Sequence, residues 1–222
     1  MKEMRSSTVL AAFSAFSFVL STAIPAARAA DEQPDMKLLE KGRTVWLTAG
    51  GIGCAGCHGR FGEGDLGVGP YNRGVELSKI QAAIATVDPM RVVKGKVDPQ
   101  EIEAVAAYVA WLGRHQLVKT LVKRDKFEPS AVDIHPGTPV QLAINNSGVS
   151  PRKFAAPNMN VAEFEIPGRT VHDFVWLAPE QEGTYALRCI DCGAQGQEFT
   201  INVRRSAKPY AGPEKQERKA VQ

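Results

Sequence analysis

The sequence predicts a mixed chain of two domains, an all-α region followed by an all-β sandwich. Three observations predict it. The length of 222 residues allows two modest domains, each able to bury its own core. Apolar periodicity is helical as far as Gly113. Beyond Leu117 it gives way to short runs rich in β-branched and aromatic residues, separated by turn residues.

The first thirty residues read as an export address. Lys2 and Arg5 precede an apolar run from Val9 to Ile24, and Ala27-Arg28-Ala29 supplies the small residues that a signal peptidase needs. Ser14, Ser17, Ser21 and Pro25 interrupt that run, which is short for a membrane span. Residues 1–30 are therefore expected to be a cleaved signal peptide, with no stable membrane span afterwards and a periplasmic destination. Cleavage takes three of the 27 basic and one of the 24 acidic residues, leaving 24 against 23. So even a balance gives no basic field of the kind nucleic-acid binding requires, and that class is excluded.

In the α region, residues 31–114, a helix is expected from Asp35 to about Thr48, carrying Leu38, Leu39, Val45 and Trp46. A glycine-rich loop follows from Gly50 to Gly69. Asp98-Pro99-Gln100-Glu101 then offers an N-cap, a proline at the first helical position and an acidic first turn, ahead of a second helix that Gly113 ends. In the β region, residues 115–205, strands are expected at Phe127–Ile134, Pro139–Ile144, Val161–Ile166, Val171–Leu177, Thr184–Arg188 and Glu198–Val203. From Ser206 to Gln222 the chain is polar with no core-forming pattern, and a disordered tail is expected.

Cys54-Ala55-Gly56-Cys57-His58 carries the clearest chemistry. Two thiols three positions apart can add to the two vinyl groups on one edge of a porphyrin, and the adjoining histidine then turns under the iron as an axial ligand. The competing readings are a C-x-x-C redox pair beside an incidental histidine, or half of a zinc site. A zinc site wants a second ligand pair nearby, whereas the other cysteines, Cys189 and Cys192, lie in the β region.

From Met36 to Gly113 the chain resembles the class I cytochrome c family. The resemblance rests on Gly42 and Trp46, Cys54 to His58, Gly67-Val68-Gly69-Pro70, Met90, and Ala107-Tyr108 with Trp111-Leu112 in the closing helix. It implies that the first and last helices cross where Gly42 meets Tyr108. It implies that Cys54 and Cys57 hold one covalent haem c, and that His58 and Met90 are the axial ligands of its iron. The carbonyl of Pro70 would accept a hydrogen bond from the ring nitrogen of His58 that faces away from iron. Met36 precedes the haem motif on the wrong helix, and Met159 and His115 lie beyond this fold, which makes all three poorer ligand candidates.

The region Phe127 to Val203 resembles the cupredoxin fold, through Phe127-Glu128-Pro129, His135-Pro136-Gly137-Thr138-Pro139-Val140, Asn145-Asn146, Pro167-Gly168 and Gly183-Thr184-Tyr185 leading into Cys189. Cys192-Gly193 is similar to the closing segment of the two-copper domain of oxidase subunit II. That domain, however, separates its cysteines by three residues and then requires a histidine and a methionine. Here two residues intervene, Gly196 and Phe199 occupy those later positions, and Ser150 to Phe154 fills the loop of the upstream histidine. Asn146 to Phe154 and Ile166-Pro167-Gly168 also resemble cupredoxin-like domains of periplasmic iron-uptake proteins. On this reading the copper ligands are lost and copper is unlikely, and Cys189 and Cys192 are expected to form a structural disulfide, the alternative being a functional thiol pair or metal site. His135 and His172 are expected to be turn or strand residues.

These readings converge on a periplasmic electron-transfer protein that shuttles single electrons through one haem c, with protein redox partners and no catalytic residues. The alternative is a copper-containing or enzyme-associated redox subunit, related to oxidases or iron uptake, that works through the β domain.

Overall fold

The computed structural model describes residues 35–64, 66–193 and 197–212; the expected signal peptide and residues 213–222 of the expected tail lie outside them. Helix α1, Met36–Thr48, begins where the Asp35 carboxylate accepts the N–H groups of Lys37 and Leu38 at 2.9 and 3.3 Å. Helix α4, Pro99–Gly113, opens on a reciprocal capping box. Asp98 accepts from the Glu101 N–H at 2.7 Å, and Glu101 accepts from the Asp98 N–H at 2.9 Å. Each cap satisfies donors that the first turn leaves without helical partners.

The two helices cross at Gly42. A Cβ there would stand 2.0 Å from the Ala104 carbonyl oxygen and 2.8 Å from Cβ of Tyr108, so only glycine lets the backbones approach this closely. Between them lie a single turn, α2 (Ala55–His58), then α3 (Leu77–Thr86) and a 3₁₀ helix at Asp88–Val93. The stretch between Gly69 and Asp98, where no element was expected, thus contains a helix of ten residues. Trp46 is buried, and its indole N–H is shared between the carbonyls of Gly59 and Arg60 at 3.2 and 3.0 Å. That bond ties α1 to the segment just after the C-x-x-C-H motif.

The β region is a sandwich of nine strands: β1 Gln116–Lys123, β2 Lys126–Glu128, β3 Ala131–Ile134, β4 Pro139–Asn146, β5 Arg152–Ala156, β6 Val161–Ile166, β7 Thr170–Leu177, β8 Gly183–Cys189 and β9 Gln197–Val203. One sheet has the order β2-β1-β4-β7 and the other β3-β9-β8-β5-β6. The pairs β1 with β4 and β3 with β9 are parallel, and the remaining pairs are antiparallel. Leu142, Ile144, Phe154, Leu187, Phe199 and Ile201 fill the space between the sheets. The run expected as one strand at Phe127–Ile134 is two strands in different sheets, with Pro129, which has no N–H to offer a ladder, between them. β1 and β5 were not expected.

β4 is buried on both faces from Val140 to Ala143, because its outer face meets the helical region instead of water. Arg73, 1% exposed, crosses that boundary. Its Nη1 donates to the Phe61 carbonyl at 3.0 Å and to Oε1 of Gln141 at 2.9 Å, and its Nη2 donates to the carbonyls of Leu112 and His115 at 2.6 and 2.9 Å. Gln141 passes the link on, donating to Asp173 on β7 at 2.9 Å, and Asp173 pairs with Arg43 on α1 at 2.7 Å. Further on, the Tyr210 hydroxyl donates to the Gly113 carbonyl at 2.9 Å.

Arg73→Ala would take the guanidinium donor from Gln141 and three carbonyls in that seam, of which that of Leu112 keeps the His115 N–H at 3.2 Å. The expected cost is about 3 kcal/mol, read as a fall in denaturation midpoint. A midpoint unchanged from wild type would show that the seam carries no stability.

Candidate functional site

The turn of α2 places the C-x-x-C-H side chains on one surface, with the His58 N–H bonded to the Cys54 carbonyl at 3.0 Å. His58 is 5% exposed, and its Nδ1 lies 2.9 Å from the carbonyl oxygen of Pro70. Pro70 reaches it through Gly69, where a Cβ would stand 2.6 Å from Nδ1 of His58 and 2.9 Å from the Cys57 carbonyl oxygen. Bulk at position 69 would push the imidazole aside. With Nδ1 facing that carbonyl, Nε2 is the ring nitrogen left for a ligand.

Cys54, Cys57, His58 and Pro70 line one cleft with Met90, which belongs to the 3₁₀ helix Asp88–Val93. The rest of the lining is mostly apolar, including Val45 and Trp46 from α1, Ile80 and Ile84 from α3, and Val105 and Val109 from α4, with Asn72 and Lys79 as its polar members. All five residues singled out in the sequence for this region therefore meet around one cavity. Both cysteines are free thiols. Burial, with a smaller contribution from neighbouring Cys57, pushes the Cys54 thiol up to about 11. This donor set fits a c-type haem: two thiols on one edge, an oriented imidazole, a thioether and apolar walls.

The β region is arranged differently. Cys189 at the end of β8 is bridged to Cys192, with Cα atoms 5.4 Å apart and both residues 0% exposed. Among the described residues, Cys189, Asp191 and Cys192 are the one group of three metal-ligating side chains, with ligand atoms within 4.8 Å of one another. His135 stays beside its own turn, with Nδ1 2.9 Å from the Pro136 carbonyl oxygen. His172 lies on β7 with its ring centroid 4.8 Å from that of Phe164, and Met159 is buried in the sandwich core. Sequence reasoning passed over Asp191, although its place between the two cysteines was the available signal.

Residues 104–200 match the family model described as a cupredoxin-like domain. They form a cupredoxin-like domain. No curated protein matches the chain. Auracyanin A, a "blue" copper protein from the green thermophilic photosynthetic bacterium Chloroflexus aurantiacus, is similar at 12% identity over 40% of this chain and 98% of its own, with a TM-score of 0.34. The metal-binding domain of the Streptococcus pneumoniae D39 Cu(I)-exporting P-type ATPase CopA, with Cu(I), is similar at 13% identity over 41% of this chain and 87% of its own, with a TM-score of 0.35. A dithionite-reduced auracyanin from Roseiflexus castenholzii gives 10% identity, 41% and 99% coverage and a TM-score of 0.35. Likenesses this distant carry no ligand assignment.

The cupredoxin-like domain corrects one expectation. Haem as the one cofactor, with copper unlikely, rested on the missing histidines. A domain of this kind that also gathers Cys189, Asp191 and Cys192 points to copper as well. The physical reason for the error is that loss of nitrogen ligands says nothing about sulfur ligands. Among the described residues, no helix is long and apolar enough to cross a membrane.

In haem-free chain, Cys54 should react with iodoacetamide at pH 8 roughly tenfold to a hundredfold more slowly than a thiol of ordinary acidity. Peptide mass mapping of the alkylation time course would measure this. Labelling as fast as that of a free cysteine would contradict the burial described above.

Proposed function

We propose that this chain is an exported electron-transfer protein whose helical region carries one covalent haem c beside a copper-associated cupredoxin-like domain. One observation carries the haem part of this reading: Cys54, Cys57, His58, Pro70 and Met90 all face or support a single apolar cleft. A haem held there would supply a one-electron iron couple. Cys54 and Cys57 would attach it through thioethers. His58 would offer Nε2 to the iron while Pro70 fixes the orientation of its ring, and Met90 would offer a thioether sulfur. With His58 and Met90 both holding the group, the site would favour passing electrons over binding small ligands. The mostly apolar walls would limit the water around the bound group.

The domain match at residues 104–200 favours a second reading, that of a copper-containing or enzyme-associated redox subunit. It differs from the first in which centre is the primary carrier. In both, the partners are redox proteins and the chain serves as a carrier or accessory subunit, located in the periplasm.

Acid-acetone extraction of the purified holoprotein should leave the haem colour on the polypeptide, and metal analysis of protein purified reduced and without oxygen should find iron at one equivalent with copper present. Complete extraction of the colour would end the haem assignment, while copper without iron would favour the second reading. A further expectation concerns Met90→Ala. It should abolish the weak charge-transfer band of ferric haem bound by methionine sulfur, open a site for cyanide and lower the reduction potential. A spectrum of two nitrogen ligands in the wild type, unchanged by that substitution, would remove Met90 from the site.

A further inference from the structure

A copper site of the blue type needs two imidazoles and a thiolate in a trigonal plane, with a weak axial sulfur. The cupredoxin-like domain does not fit that set. His172 sits within β7, paired across the ladder with Ile144 and packed on Phe164; His135 is held by its own turn; and neither joins the group formed by Cys189, Asp191 and Cys192. Two sulfurs and no imidazole make a soft site, and soft thiolates select Cu(I).

We propose that Cys189 and Cys192, once their disulfide is reduced, bind Cu(I) through both sulfurs, and that oxidation of the pair closes the site to metal. This inference rests on the copper-associated reading of the domain and specifies its oxidation state and its control. Three features of the structure carry it. The sulfurs lie under a short lip, since both cysteines are 0% exposed while Ile190 and Asp191 between them face solvent. A dry pair of thiolates suits a cation that needs few ligands and no water. The loop is held from outside the cysteine pair: Ile190 N–H donates to the Lys153 carbonyl at 2.8 Å, the Asp191 carboxylate accepts from the Lys153 N–H at 3.1 Å, and the Asp191 carbonyl accepts from Nη1 of Arg152 at 3.1 Å. Opening the S–S bond leaves these three bonds intact, so the sulfurs stay together. Finally, Arg152 is present beside a site that would become anionic, and its Nη2 pairs with Asp125. Asp191 is a positioning residue in this scheme, because a carboxylate oxygen is a hard donor with little preference for Cu(I).

The chemistry balances with a dithiol as reductant. The S–S bond of Cys189 and Cys192 breaks, taking two electrons and two protons from the dithiol, which becomes a disulfide. Cu(I) then displaces the two protons and keeps its charge of +1. Re-oxidation by a disulfide, which takes two electrons from the sulfurs and two protons from solvent to become a dithiol, re-forms the S–S bond and releases Cu(I).

The test uses the full-length holoprotein without oxygen, reduced by a phosphine that is then removed, and titrated against the coloured Cu(I) complex of bicinchoninate. The reduced protein should withdraw about one Cu(I) per chain. The same metal should protect Cys189 and Cys192 from alkylation, located by peptide mass mapping, which needs no variant. The oxidised protein and the double variant Cys189→Ser/Cys192→Ser should withdraw none, with the haem spectrum reporting that the variant is folded. Asp191→Asn should keep the site, since an amide oxygen can still accept from Lys153. Equal uptake by oxidised protein or by the double variant overturns this site but leaves the domain copper-associated. No uptake by any form overturns both. Uptake by reduced wild type that leaves the two thiols open to alkylation overturns the assignment to Cys189 and Cys192.

Discussion

The buried guanidinium of Arg73 is the interaction on which the rest of the arrangement depends. A cation with almost no exposure is costly unless its donors are used, and Arg73 uses two nitrogens on four acceptors drawn from the loop after α2, the end of α4 and strand β4. Burial pulls its pKa below the ordinary value, because desolvation disfavours the charged form. Because the acceptors come from separate stretches, one side chain fixes how the helical region lies on the sandwich. Gln141 and Asp173 then carry the same seam across to Arg43 on α1.

Much of the helical region was legible because its signals are local. Asp98 marks a helix start by side-chain chemistry that acts within three residues, and its cap forms as the spacing implies, while Asp35, expected as the first residue of its helix, is the cap before it. The cleft was legible for a related reason, since C-x-x-C-H compresses thiols and imidazole into one turn. Helix α3 was hidden because its start lacks such a mark: Glu76 stands at the N-cap without a side-chain hydrogen bond, and Ile80 is its one buried residue. Strand β1 escaped because only Arg114 and His115 separate it from α4, too short a join to carry a turn signature. β5 has little to show beyond Phe154 and two alanines. The seam itself could not be read at all from Asn72-Arg73-Gly74, which looks like any solvated turn. The one hint was Gln141, a polar residue set between Val140 and Leu142 where a strand has both faces covered.

The two candidate centres obey opposite rules about sulfur. In the cleft, Cys54 and Cys57 are kept apart as thiols on a helical turn, and burial holds Cys54 protonated. At the end of β8, the same C-x-x-C spacing lets Cys189 and Cys192 join. Spacing alone therefore does not decide what a cysteine pair does; the backbone beneath it does. A helical turn followed by His58 serves attachment to a flat ring, whereas a strand end pinned to β5 serves a bond, or a metal, between two close sulfurs.

The covered outer face of β4 also sets where this chain can be divided. A fragment beginning at Leu117 would bare Gln141 and Ala143 in the middle of a sheet and leave Asp173 without Arg43, so the sandwich alone would present a sticky, partly charged wall to its neighbours. The helical region thus covers a face that the sandwich alone would expose. Transplanting either half onto another protein would require the seam to travel with it.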